Sequence, residues 1–185
     1  MNTAVTSKEE ILKTSRELIR RQGWSAVSIR SVAAGCGVSV GSIYNYFDSK
    51  TDLIGATVES VWCEIFHRPE DDAVFQDVQA CVAWMYQRMA YGCERYPGFF
   101  TLHSLGFLRE DKTAGKQRMQ QTWQHILAGL CSVLKQDVRI RPDAFTEQFT
   151  AEKFADVLFS QMFSALLRQD YDPSAVLEIV RRTLY

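Results

Sequence analysis

Two glycines divide the first fifty residues into three short helical segments, and this division constrains the fold more than any other feature of the sequence. Gly23 follows an apolar stripe that begins after Ser7, and Gly37 follows a shorter stripe that begins after Ser28. A third segment begins after Ser39. Serine before a helix accepts a hydrogen bond from an orphan amide, and glycine after a helix adopts the left-handed conformation that ends it. Three short helices with a tight turn between the last two predict a helix-turn-helix.

The rest of the chain also has the apolar spacing of helices, and no segment of useful length alternates apolar and polar residues as a half-buried strand would. We predict six further helices, over residues 51–67, 70–95, 99–107, 119–134, about 25 residues after Pro142, and 173–184. The sequence therefore predicts an all-α protein of about nine helices. A three-helix helix-turn-helix head would occupy residues 1–50, and a helical body for ligand binding and dimerisation would occupy residues 51–185.

Charge is distributed unevenly between the two predicted domains. Residues 1–50 carry seven Lys and Arg side chains against four Asp and Glu, whereas the remainder has more acidic than basic residues. A basic end on an acidic body suits a head that faces the phosphates of a nucleic acid. Apolar residues make up 46% of the chain, which is enough for a packed core, so a disordered chain is not expected.

Several classes of protein are disfavoured by features that the sequence lacks. No apolar signal region opens the chain and no stretch approaches the length of a transmembrane helix, so we expect a cytoplasmic protein with no membrane partner. The five cysteines form no CxxC pair and are expected to be free, mostly buried thiols. His67, His103 and His125 have no metal-ligand spacing, so neither a metal nor another cofactor is expected. No nucleophile–base pair or phosphate loop supports an enzyme.

The third helix carries residue types that can read DNA bases. Ile43 and Phe47 can anchor this helix to the core of the head, which turns the intervening positions outward. The outward residues that we expect to meet the bases are Val40, Gly41, Ser42 and Asn45. The Asn45 amide can pair with adenine, Val40 can touch a thymine methyl group, and Gly41 lets the backbone approach closely. Val40 has a second interpretation as an incidental exposed apolar residue.

Other residues of the head are suited to the phosphate backbone. Tyr44, Tyr46 and Lys50 can donate to phosphate oxygens, which position a protein on DNA without reading its sequence. Both tyrosines have an alternative role, which is to pack within the head. Ser28 and Ser39 are expected to cap helices first, with phosphate contact as an added role.

At these residues the sequence resembles the TetR family of transcription regulators. The segment GWSAVSI, residues 23–29, resembles that family's link between its first two helices. The run GVSVGSIYNYFDSKTDL, residues 37–53, is similar to its turn, its recognition helix and the start of its fourth helix. The resemblance covers roughly residues 7–55. Position 45 often carries an aromatic or other large residue in such proteins, so the asparagine here shifts this position toward direct base reading.

The resemblance implies a nine-helix homodimer with a ligand pocket within helices four to eight. Residues of the body suited to lining such a pocket are Trp62, Phe66, Trp84, Phe99, Phe100, His103, Phe107, Trp123 and Phe163. Pockets and cores use the same residue types, so most of these side chains can equally belong to the core.

The body also has more apolar helix surface than one layer of partners can cover. Residues 154–167 are apolar on several faces, and pairing them with a two-fold copy beside the last helix would form a four-helix bundle. The residues predicted to form this interface are Leu158, Met162, Ala165, Leu177 and Val180.

We therefore expect a ligand-responsive, DNA-binding transcription regulator. Its partners would be double-stranded operator DNA, a second copy of the chain and a small apolar or aromatic effector that releases it from the operator, with helix four as the link between head and body. One alternative is a coactivator or scaffold that kept the fold without binding DNA. Another is an enzyme with an all-helical pocket, which turnover of a candidate ligand would support.

Overall fold

A computed structural model of the protein describes residues 6–66, 72–99 and 113–185. Within these ranges the chain forms eight α-helices and no β-strand, which confirms the predicted all-α class. The helices are α1 (Lys8–Gln22), α2 (Ile29–Cys36), α3 (Val40–Tyr44), α4 (Lys50–Ile65), α5 (Val78–Arg95), α6 (Thr113–Gln136), α7 (Ala151–Arg168) and α8 (Ser174–Leu184). Only the first residue of the helix predicted over residues 99–107 is among the described residues. The eight helices described are therefore close to the nine expected.

Serine and glycine fix the boundaries of the first three helices, as the sequence predicts. Ser7, Ser28 and Ser39 precede α1, α2 and α3, and each hydroxyl accepts a hydrogen bond at 3.1 Å from the amide three residues later. Gly23 and Gly37 follow α1 and α2 with φ of 80° and 67°, a conformation that costs glycine little. The local chemistry of this segment therefore specifies its three short helices.

Later boundaries differ from the prediction because the caps lie elsewhere. Helix α5 was expected to begin at the acidic run near Glu70, but it begins at Val78, after a one-turn 3-10 helix over Asp72–Phe75. Helix α7 was expected soon after Pro142, but residues 137–150 form successive turns and α7 begins only after Thr150, whose side chain caps it. Helix α6 extends back to Thr113, into a segment that was expected to be a loop.

The chain divides into two compact units, which comprise the described parts of Met1–Ile65 with Gly92–Gln120, and of Phe66–Tyr91 with Gln121–Tyr185. The first unit contains α1 to α4, and its core includes the fully buried side chains of Ile11, Val32 and Leu53. Helix α5 runs from the second unit into the first. The predicted functional division at residue 50 stays a prediction.

A buried carboxylate organises one end of the second unit. The Asp137 side chain is only 1% exposed and accepts hydrogen bonds from the Val78 amide at 3.1 Å and from Arg139 at 2.8 Å. The Tyr185 hydroxyl also donates to it, and the Arg141 amide donates to the Leu184 carbonyl at 2.9 Å. These bonds tie the start of α5, the turn after α6 and the end of α8 together.

No two cysteines are joined in a disulfide, as expected from their spacing. Their burial is more mixed than the prediction, because Cys81 is buried, Cys63 on α4 is exposed and the other three are intermediate. No described helix is long and apolar enough to cross a membrane.

Candidate nucleic-acid interface and effector site

Helix α3 presents one face to the core and the opposite face to solvent. Ile43 is fully buried and Phe47, just beyond the helix, is almost so, which confirms them as its anchors. Val40 and Tyr44 are 40% and 50% exposed. Gly41 and Asn45, which share their face by helical spacing, are exposed as well. The structure therefore brings together on one exposed face four residues that the sequence predicts at the DNA.

The serine hydroxyls near this face are engaged in helix caps. The Ser39 and Ser42 hydroxyls lie 2.9 Å apart, and Ser42 is half-buried rather than fully outward. Ser28 and Ser31 form a reciprocal capping box at the start of α2, in which each side chain accepts from the other residue's amide. The capping role of Ser28 and Ser39 is confirmed, and their contact with phosphates stays a prediction.

Tyr46 and Lys50 have different surroundings. The Tyr46 hydroxyl donates to the Thr6 carbonyl at 2.7 Å, which ties the chain before α1 to the end of α3. This bond uses the only donor of that side chain, so the hydroxyl would have to exchange its partner to bind a phosphate. Lys50 is exposed at the first residue of α4, which Ser49 caps by accepting from the Asp52 amide at 3.1 Å.

Arg30 is an exposed basic residue that the sequence reasoning missed. It follows the buried Ile29 on α2, and neither Arg30 nor Lys50 has an ion-pair partner in the part of the chain that the structure describes. In contrast, Arg20 and Arg21 pair with Glu17 on the same helix, which partly offsets their charge. The position of Arg30 beside an inward apolar residue was the signal that could have identified it.

Two of the predicted pocket residues are core residues of the first unit. Trp62 and Phe99 meet edge to face with ring centroids 6.1 Å apart, and both side chains are buried. The rings of Trp24 and Tyr96 also pack on Phe99, with centroids at 5.9 and 6.3 Å. The predicted pocket residues Phe100, His103 and Phe107 lie outside the described residues.

The other predicted pocket residues form two ring clusters in the second unit. Trp84 packs against Phe66 and Phe75, with centroids at 6.2 and 5.5 Å. Phe163 on α7 packs against Trp123 on α6 at 5.0 Å and against Phe159 at 4.9 Å. These edge-on pairs are favourable aromatic geometries.

Trp123 carries a buried donor in the second of these clusters. Its indole N–H is buried and has no hydrogen-bond partner among the described residues. Leaving a buried donor without an acceptor costs about 1–3 kcal/mol. A ligand oxygen at this position would remove that cost. Three or more side chains placed to hold a metal ion are not found in the described ranges.

Most of the predicted dimer residues are buried within the single chain. Leu158, Met162, Ala165 and Val180 are at most 4% exposed within the single chain, so they form its core rather than an outward face. The fifth, Leu177, is half-buried. The apolar side chains that α7 and α8 do expose are Val157, Leu167 and Ile179, at 47%, 54% and 50%. Apolar spacing alone identified these four positions as buried but does not distinguish the core of one chain from an interface between two, so their place in a dimer stays a prediction.

The first three helices form a helix-turn-helix head, in which the third helix exposes polar and small residues. DNA-binding regulators use this motif to enter the major groove. Residues 11–57 match the family model described as bacterial regulatory proteins of the tetR family. This segment is therefore similar to that family, which confirms the resemblance seen in the sequence.

Known proteins extend the comparison along the chain. An uncharacterised HTH-type transcriptional regulator of Bacillus subtilis (strain 168), YerO, is 40% identical over 52 residues, which cover 28% of this chain and 18% of that protein. The chain thus spans less than a fifth of the length of that relative.

Among solved structures, reduced E. coli NemR superposes with a TM-score of 0.67 at 17% identity, covering 99% of this chain and 98% of that one. The FadR regulator of Bacillus subtilis, in complex with stearoyl-CoA, gives 0.63 at 17%, covering 94% and 95%. At such identities the likeness establishes the fold.

Proposed function

We propose that the protein is a ligand-responsive transcription regulator that binds operator DNA through the exposed face of α3. The observation that carries this proposal is the division of α3, in which Tyr44 and Asn45 are exposed while Ile43 is fully buried. A helix held from behind by the core, with small and polar groups in front, has the form that the major groove admits.

The residues of the head would divide between two tasks. Asn45 would read an adenine with its amide, and Val40 would touch a thymine methyl group. Tyr44, Lys50 and the exposed Arg30 would bind phosphate oxygens and fix the register without reading sequence. Tyr46, whose hydroxyl already holds the Thr6 carbonyl, would support the recognition helix from the side.

Two heads would be required for tight binding. A two-fold dimer presents its recognition helices about one DNA turn apart, roughly 34–36 Å, to enter successive major grooves. The exposed apolar side chains of Val157, Leu167 and Ile179 support α7 and α8 as the surfaces that pair, because such side chains gain by leaving water. Leu177, half-buried on α8, would complete this interface.

The effector would bind beside the ring clusters of the second unit. Their aromatic surface favours an apolar or aromatic compound. The buried indole N–H of Trp123, which has no partner among the described residues, favours a compound that carries an oxygen acceptor. FadR, a protein of the same fold, was solved with stearoyl-CoA, which supports a ligand-binding role for the fold. Such a regulator would act in the cytoplasm, where its operator lies, and no catalytic step is proposed.

Binding of the effector would release the operator through α4. This helix begins at Lys50 beside the recognition helix and ends at Ile65, where the chain passes into the second unit. A typical coupling of about 1–3 kcal/mol weakens DNA binding roughly 5–150-fold, and by reciprocity the operator weakens effector binding by the same factor.

Selection from a pool of random duplexes tests the DNA-binding role. The full chain should enrich a palindrome with half-sites about 10–10.5 base pairs apart, or a multiple of that spacing. A control with Val40 and Asn45 both replaced by glutamate changes only exposed positions and should enrich nothing. If the folded, unaltered chain also enriches nothing at moderate salt, a scaffold or coactivator that does not bind DNA becomes the better assignment.

A further inference from the structure

Glu64, on the last turn of α4, pairs with residues of α1 and of the end of α5 that lies in the first unit. Its carboxylate lies 2.7 Å from the Arg16 Nε of α1 and 3.0 Å from the Arg95 Nε at the end of α5. Arg20 of α1 lies 3.7 Å from the same group. Arg16 also donates to the Ser60 hydroxyl, one turn earlier on α4, at 3.0 Å. Two arginines of α1 are therefore directed at one carboxylate of α4.

Glu64, Arg16, Arg20 and Arg95 form a cluster with tightly packed surroundings. Their contacts therefore limit how α1, α4 and α5 can move against one another. Tyr96, directly after α5, is fully buried beside Glu64. A Cβ built on Gly92 would lie 2.7 Å from the Ile65 Cδ1 atom, which shows how closely α5 approaches the end of α4. Burial raises the pKa of Glu64, but the neighbouring Tyr96 hydroxyl, Arg95 and Arg16 outweigh it and hold the pKa below its ordinary value. Glu64 is therefore ionised at neutral pH.

Glu64 lies far along α4 from the head, so a small change in helix angle at Glu64 produces a larger displacement of the head. Glu64 is 14 residues from Lys50, the first residue of α4, a distance of about 21 Å along the axis. A tilt of about 5° at the Glu64 end would therefore move the other end by about 2 Å. One base-pair step is about 3.4 Å. In a two-fold dimer the heads would move in opposite directions by about 2 Å each, so their separation would change by about one base-pair step.

We propose that Glu64 is a positioning residue for DNA binding, because its contacts with Arg16 and Arg95 fix the angle of the head on α4 and α5. This proposal rests on the proposed function. An intact cluster holds the two recognition helices at one separation. A cluster without the carboxylate lets each head pivot, so the dimer accepts half-sites that are too close or too far apart.

The test measures affinity against half-site spacing and needs no effector. The selected palindrome is compared with duplexes in which one base pair is removed or added between the half-sites, by fluorescence anisotropy with the full chain. The unaltered protein should lose about tenfold or more in affinity for either change. Glu64→Gln should keep its affinity for the optimal spacing within about threefold, and its loss on changing the spacing should shrink to about threefold or less.

Glu17→Gln is the matched control for removal of a carboxylate. Its arginine partners lie on the same helix, so the change removes charge and ion pairs without directly removing a contact between helices. It should give the spacing profile of the unaltered protein. Arg95→Gln, at an exposed helix end, removes the ion pair between Glu64 and α5 but not the one between Glu64 and α1. It should also flatten the profile, which keeps the test decisive if Glu64→Gln does not fold.

Each outcome has a separate meaning. A flattened profile for Glu64→Gln and Arg95→Gln, with Glu17→Gln unchanged, supports the positioning role. Equal losses at every spacing would show that Glu64 only stabilises the head, which overturns the proposal, and so would an unchanged profile. If the unaltered chain binds no duplex at all, the proposed function fails and the positioning role fails with it, a result distinct from failure of the variants alone.

Discussion

Replacing Asp137 with asparagine should destabilise the second unit more than any other change of similar size there. The carboxylate accepts from the Val78 amide, from the backbone and side chain of Arg139 and from the Tyr185 hydroxyl. Every one of these neighbours is a donor. An asparagine has one oxygen and one NH₂ group, so it must turn a donor toward some of them.

The size of the effect follows from burial and charge. Breaking a buried ion pair by removing one partner costs about 3–5 kcal/mol, and the lower end applies because Arg139 is half-exposed while Asp137 is not. We therefore expect Asp137→Asn to lose about 3 kcal/mol of unfolding free energy. Tyr185→Phe removes one donor and leaves the carboxylate with its others, so it should cost about 1.5 kcal/mol.

The difference in unfolding free energy between the unaltered protein and Asp137→Asn should decrease at low pH. Burial raises the pKa of Asp137, but hydrogen bonds from Arg139, Tyr185 and the Val78 amide outweigh it and hold the pKa well below its ordinary value. A carboxyl group with a lowered pKa stabilises the fold above its unfolded pKa of about 3.9 and loses that contribution as the pH falls toward the folded value. The gap between the unaltered protein and Asp137→Asn should be constant near neutral pH and narrow below about pH 4.

Urea unfolding followed by far-ultraviolet circular dichroism measures these differences. Asp137→Asn should lower the unfolding free energy about twice as much as Tyr185→Phe, with melting temperatures falling in the same order. An Asp137→Asn variant that loses less than about 1 kcal/mol, or less than Tyr185→Phe, would refute the conclusion that the buried carboxylate holds this end of the unit together.

Two further predictions concern the dimer and the effector. Replacing the exposed Val157 and Leu167 with glutamate should give a folded monomer in sedimentation at micromolar concentration, because charges would enter the proposed interface. If the variant remains a dimer, this face of α7 does not form the interface. Mass spectrometry would identify a compound that co-purifies with the protein, and calorimetry would measure its affinity. Trp123→Phe keeps a ring but removes the indole N–H, so it should weaken binding of that compound by about tenfold. Unchanged affinity would mean that the N–H does not meet the ligand.

The features that the sequence predicted well depend on residues close to one another in the chain. Ser28 and Ser39 cap their helices through amides three residues away, so their roles are visible in a short window. The buried side of α3 follows in the same way from Ile43 and Phe47, which lie on one helical face. This locality is why the all-α class and the helix-turn-helix head could be derived without a structure.

The features that were missed depend on residues far apart in the chain. The start of α5 is set partly by Asp137, 59 residues beyond the amide that it binds. The role of Glu64 requires Arg16 and Arg95 to come from two other helices. Apolar spacing placed Leu158 on a buried face but could not distinguish the core of one chain from the interface between two, since both bury the same residue types.

The central claim is that the exposed face of α3 reads DNA sequence, and base preference of matched variants tests it most directly. Affinities for the selected palindrome and for duplexes with single base-pair changes would be measured for the unaltered chain, Asn45→Ala and Tyr44→Phe. Asn45→Ala should cost about 1–3 kcal/mol and lose the preference at one base pair, because the amide that distinguishes adenine is gone. Tyr44→Phe should weaken binding to all duplexes alike, as loss of a phosphate contact does. If Asn45→Ala leaves both affinity and preference unchanged, the claim is contradicted.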